Sequence, residues 1–127
     1  MLELTTSVRD WVEAAKRRDL STQIALYADR LGSFYGRRDL SREDVRAEKL
    51  RAFGDGEVLV DTGSLEIRLE ASGQMAIVRF SKRYAVDDDG RAGRGEVEQE
   101  LRWEHTDAGW RIVDENDAPT SSRLRGG

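Results

Sequence analysis

Residues Trp11–Phe53, WVEAAKRRDLSTQIALYADRLGSFYGRRDLSREDVRAEKLRAF, carry the spacing that decides the fold. Val8, Trp11, Val12 and Ala15 recur at helical intervals behind Thr6 and Ser7, which are residues of the capping type. Arg9, Glu13, Lys16 and Arg17 fall on the opposite side, so the first helix has one face for a core and one for water. Asp19 restarts the pattern as an N-cap, and Leu20, Ile24, Tyr27, Ala28 and Leu31 predict a second helix that Gly32 ends. Ser33-Phe34-Tyr35-Gly36 reads as a short aromatic link. Ser41 stands three residues before Asp44 in a capping-box-like pattern and opens a third helix to about Phe53, closed by Gly54 and Gly56.

Beyond Glu57 the period falls from about four to two. Segments around 57–70, 75–86, 94–105 and 110–116 alternate apolar and polar residues as half-buried strands do. Short turns at 71–74, 87–90 and 106–109 make neighbouring strands antiparallel, and Asp61-Thr62-Gly63 marks a bulge or bend. With Ser72-Gly73 and Asp89-Gly90 at the tips, Ile67 faces Val78, Leu65 faces Phe80, Phe80 faces Gln99 and Val78 faces Leu101 on the concave side. The same registers put Glu66, Arg79 and Glu100 in one row on the convex side, with Arg83 beside Glu96, so that opposite charges meet. A short extra strand near 31–35 completes the expected α+β architecture, three helices across a curved antiparallel sheet of four long strands.

Composition sets bounds on function. A chain of 127 residues is the size of one domain, here 1–118, followed by a small, polar, flexible tail at 119–127. Zero cysteines exclude thiolate metal sites and cysteine nucleophiles, and a single histidine argues against a transition-metal centre. The net charge of −4, with charges mixed in sign, argues against nucleic-acid binding. No apolar run approaches the roughly 20 residues of a membrane span, and MLELTTSVRDW has none of the marks of a signal peptide, so a soluble, by default cytoplasmic, protein is expected.

Three helices followed by a long curved sheet, with Trp11, Asp19-Leu20, Tyr27-Ala28-Asp29, Phe34-Tyr35-Gly36, Ser41-Arg42, Lys49, Phe53 and Gly109-Trp110-Arg111-Ile112-Val113-Asp114-Glu115, resemble the nuclear-transport-factor-2-like superfamily. This cone-shaped fold includes ketosteroid-isomerase-like and SnoaL-like proteins. The finer pattern resembles accessory domains of bacterial L,D-transpeptidase-type proteins. That resemblance implies a non-catalytic ligand-binding or dimerisation module rather than an enzyme. The alternative it leaves is a small cofactor-independent lyase or isomerase with a cavity Asp and a Tyr donor. No cofactor is expected, and the convex face, where Met75 and Ile77 adjoin Arg79, Arg83, Glu96, Glu98, Glu100, Arg102 and Val113, could pair with its own copy, so a homodimer is expected.

The predicted site is the cavity between the first two helices and the concave sheet, lined by Trp11, Tyr27, Tyr35, Phe80, Tyr84 and Trp103, with Lys82, Gln99 and, through the last strand, Asp114 as polar contacts. Its ligand would be small and hydrophobic or anionic, because aromatic bulk and a buried cation share the face. Lys82 must either meet an acid such as Asp114 or reach the rim. No catalytic residue is singled out: Asp29 and Asp114 are available acids, Tyr27 and Tyr35 available donors. Lys49 and Arg46 are explained by helical pairing with Glu43, Asp44 and Glu48, and Asp114-Glu115 by pairing with Arg111 or Arg102.

Overall fold

The computed structural model describes residues 2–54, 56–88 and 91–118. The predicted tail at 119–127 and the Asp89-Gly90 tip lie outside these residues. Helix α1 (Leu2–Lys16) starts earlier than Thr6 and Ser7 suggested, because Leu4 extends the stripe of Val8, Trp11, Val12 and Ala15 by one turn into the core. Asp19 caps α2 (Leu20–Ile24), accepting from the Thr22 amide at 3.2 Å and the Thr22 hydroxyl at 2.7 Å. Ser41 and Asp44 close a reciprocal capping box at the start of α3 (Arg42–Gly54), at 3.1 and 3.0 Å.

The second helix is shorter than its apolar pattern predicted. After Ile24 the chain leaves the helix to run parallel to the last strand, with the Ala28 amide donating to Ile112 and the Ile112 amide to Leu26. Leu31 and Phe34 then point inward from strand β1 (Arg30–Phe34), not from a helix. Gly32 is therefore no helix stop; a side chain there would press on Asp114 Oδ1, 2.9 Å from its Cβ position. Tyr35 and Gly36, with φ of +49° and +83°, make the two-residue turn into β2 (Arg37–Ser41), the primed geometry that tight hairpins favour.

The remaining strands follow the alternation: β3 (Glu57–Thr62), β4 (Glu66–Leu69), β5 (Met75–Asp88), β6 (Arg91–Thr106) and β7 (Gly109–Asp117). They hydrogen-bond in the order β2-β1-β7-β6-β5-β3, with β4 also on β5. The β1–β7 pair is parallel, so the sheet is mixed rather than purely antiparallel. The predicted interruption after β3 is present: the register slips between Leu59 and Asp61, and β3 and β4 pair in turn with β5. The registers Ile67–Val78, Val78–Leu101, Phe80–Gln99, Glu66–Arg79–Glu100 and Arg83–Glu96 hold as expected.

A second slip governs the site. Arg102 pairs with Asp114 but Trp103 pairs with Ile112, so Val113 is an extra residue in β7. Trp110 and Ile112 face the core, and the next core-facing residue is Glu115, not Asp114. Trp11, Tyr27, Phe80 and Trp103 fill the layer between helices and sheet, with Trp11 and Phe80 edge to face at 5.9 Å. No helix among the described residues is long and apolar enough to cross a membrane.

Candidate functional site

A cavity of about 610 Å³ opens between α1, α2, α3 and the concave sheet. Its wall combines Trp11, Phe34, Tyr35, Phe53, Leu59, Tyr84 and Val97 with Lys49, Lys82 and Glu115, and Arg37, Glu48, Arg51, Glu57 and Asp117 also line it. Its size is that of a small-molecule site.

Glu115 is the polar centre of this wall. It is fully buried, yet both carboxylate oxygens are engaged: Oε1 accepts from the Tyr27 hydroxyl, and Oε2 accepts from the Tyr35 hydroxyl at 2.8 Å, Lys49 Nζ at 2.8 Å and Gln99 Nε2 at 3.2 Å. Trp11 Nε1 donates to the Tyr27 oxygen at 3.0 Å, and Gln99 donates to the Tyr35 oxygen. Burial by itself would raise the Glu115 carboxyl, but the Lys49 charge and the hydrogen bonds from Lys49 and Tyr27 outweigh it and hold the group ionised, below its ordinary value. Burial and then the Glu115 charge push both tyrosine hydroxyls well up, so they remain protonated donors.

Lys82 is different. It is half-buried on β5, with its ammonium 5.9 Å from the Tyr35 ring and 6.0 Å from the Tyr84 ring, and it makes no hydrogen bond or ion pair among the described residues. Burial lowers its pKa; Lys49 adds to that, and Glu115, Glu57 and Asp117 only partly oppose it. Tyr84 is seated over Gly95 of the neighbouring strand, where any Cβ would collide with its ring. Buried Gln23 lines the same cavity, and its Oε1 has no hydrogen-bond partner among the described residues.

Of the residues singled out from the sequence, Trp11, Tyr35, Lys82 and Tyr84 line the cavity. Tyr27 and Gln99 sit one layer behind, bonded to Glu115, and Phe80 and Trp103 are core residues away from the cavity wall. Asp114 is corrected: the Val113 bulge turns it to the other face, where Ser33 Oγ donates to it at 2.9 Å and Arg102 lies 3.8 Å away. Asp29 is exposed and pairs with Arg42 at 3.1 Å. Lys49 is the second correction. It turns inward rather than pairing along its helix, its Nζ lying 5.6 Å from the rings of Trp11, Tyr27 and Phe34. Its signal was its place four residues after buried Val45, on the inner face of α3. Nothing in β7 announced Glu115, because alternation alone selects Asp114.

No family model and no curated protein matches this chain. Solved structures do. An NTF2-like superfamily protein from Salmonella enterica superposes with a TM-score of 0.76 at 15% identity, over 92% of this chain and 88% of its own. A candidate dehydratase of the NTF2-like family from Streptomyces avermitilis gives 0.73 at 17%, over 92% and 94%. A candidate polyketide cyclase from Xanthomonas campestris gives 0.70 at 15%, over 98% and 96%. At these identities the likeness is one of fold: the chain has the nuclear-transport-factor-2-like fold.

Proposed function

We propose that this chain is a non-catalytic module that binds a small, largely apolar molecule through an anionic or carbonyl head group turned toward Lys82. The observation that carries this reading is the contrast between the two charges on the cavity wall. Glu115 is saturated by four donors and serves as the keystone that fixes Tyr27, Tyr35 and Lys49, whereas Lys82 is desolvated and unpaired. A carboxylate so engaged and held ionised is a poor base, while a buried cation without a partner is a standing demand for one. Gln23 Oε1 adds an acceptor for a donor on the ligand body.

The test is titration with anilinonaphthalene sulfonate, an apolar anion that fluoresces on leaving water. Saturable enhancement is expected with the wild type, and Lys82→Met should weaken it by about 1–3 kcal/mol, the scale of a hydrogen bond to a charged group. No enhancement, or equal affinity in the variant, removes the proposal.

A second reading, a cofactor-independent lyase or isomerase, has one observation in its favour. Tyr35 joins the cavity to a buried acid, and two structures of the same fold are described as a candidate dehydratase and a candidate polyketide cyclase. Its base would be Glu115, since Asp29 and Asp114 lie outside the cavity wall.

A further inference from the structure

Lysine is scarce in this chain: three of its 21 basic residues are lysines, against eighteen arginines. Arginine keeps its proton in any protein environment, whereas an amine can lose one and become a nucleophile. Two of the three lysines line one cavity, and the three occupy distinct chemical settings. Lys16 sits at the surface, 3.8 Å from Glu13 and 3.7 Å from Asp61. Lys49 is bound to Glu115 at 2.8 Å. Lys82 alone faces the cavity without a hydrogen bond or ion pair among the described residues.

The surroundings of Lys82 ease the loss of its proton. The Tyr35 and Tyr84 rings stand at the outer limit of cation–π attraction and compensate a charge weakly. Of the charged groups that face it, Glu115, Glu57 and Asp117 draw a proton on and Lys49 repels it, and burial outweighs them, so the amine titrates below an ordinary lysine. The Lys49 ammonium on the same wall is a second cation, one that can hydrogen-bond an oxygen.

We propose that Lys82 is a carbonyl-capturing amine that forms a reversible imine with an apolar aldehyde or ketone entering the cavity. The Nζ lone pair adds to the carbonyl carbon, and the C=O π pair moves to oxygen, which takes a proton from solvent. The resulting carbinolamine returns one Nζ proton to solvent and loses its oxygen as water together with the other, leaving C=N and releasing one water per carbonyl consumed. No oxidant or reductant is needed. This inference rests on the cavity reading above and narrows its head group to a carbonyl.

The full chain is incubated at pH 7 with 2-naphthaldehyde and cyanoborohydride, which fixes any imine as a stable secondary amine, and the adducts are mapped by peptide mass spectrometry. The α-amino group is read separately from the three lysines. Lys82 is expected to be modified faster than Lys16, because an amine that titrates lower is unprotonated more of the time, with Lys49, held by Glu115, unreactive. Lys82→Arg, which keeps the cation and removes the amine, should abolish that adduct. Equal modification of Lys16 and Lys82 in the wild type overturns the proposal without reference to any variant. So does an undiminished yield in Lys82→Arg. Wild-type binding of anilinonaphthalene sulfonate without a Lys82 adduct overturns imine formation alone, and neither binding nor adduct removes the cavity reading with it.

Discussion

Lys49→Met isolates the contribution of the buried ion pair to stability. The Lys49–Glu115 contact is 2.8 Å long, with side chains 13% and 1% exposed, and methionine preserves most of the lysine's length and its place among the Trp11, Tyr27 and Phe34 rings. At an effective dielectric near 20 the direct attraction is about 6 kcal/mol, but the desolvation of both ions offsets much of it. Removing one partner from a buried pair ordinarily costs about 3–5 kcal/mol. Glu115 retains three donors in the variant, so the expected loss lies near the lower end, about 3 kcal/mol at pH 7. Urea unfolding followed by tryptophan fluorescence reads it directly. The pH dependence is a sharper test. In the wild type the folded Glu115 pKa is depressed, so its stabilisation is complete above about 4.5 and is lost as pH falls through the folded value. Without Lys49, burial becomes the dominant influence and raises that pKa, so the variant gains relative stability as the carboxyl takes up a proton. The gap between the two proteins must therefore shrink on acidification from pH 7 to pH 4. A loss below about 1 kcal/mol at pH 7, or a gap independent of pH, would refute the keystone role of Glu115.

Lys82→Met should act in the opposite direction and raise stability at pH 7 by about 1–3 kcal/mol, since it removes a half-buried charge that has no ion pair among the described residues. The penalty is present in full below the depressed folded pKa and disappears as pH approaches the unfolded value near 10.4, so the advantage of the variant should fade as pH is raised from 7 toward about 10.4 in urea melts. The outer face of β5 and β6 bears Met75 and Ile77 beside the Arg79–Glu100 pair, 3.2 Å apart, while the helices pack on the inner face. A homodimer through that face is the expected assembly, and sedimentation equilibrium at micromolar protein should return twice the monomer mass; a monomer at low salt would rule it out.

Local rules made most of the fold legible. Asp19 and Ser41 announce their helices because a capping side chain satisfies amides next to it in sequence, and the β4–β5–β6 registers follow from turn residues and charge pairs within the same hairpins. What escaped depends on partners far along the chain. The apolar residues Tyr27 and Leu31 fit a helix until Ile112 is known to offer its backbone to the segment between Leu26 and Ala28. The cavity was legible at Trp11, Tyr35, Lys82 and Tyr84, whose bulk or charge shares one face. Its keystone was hidden because Lys49 could be explained by neighbours on its own helix, and its true partner stands 66 residues away.

The single unpaired residue Val113 has an implication for how such a site changes over generations. Two acids stand in tandem behind it, and strand parity admits one of them to the interior. Straightening the strand with Val113 kept in register would bring the shorter Asp114 inward, whereas deleting Val113 would restore plain alternation with Glu115 still inside. The bulge, more than the composition of the strand, thus decides which acid faces the interior, and a homologous chain without the bulge, aligned to this one with no gap at Val113, would have its inward residue matched to Asp114.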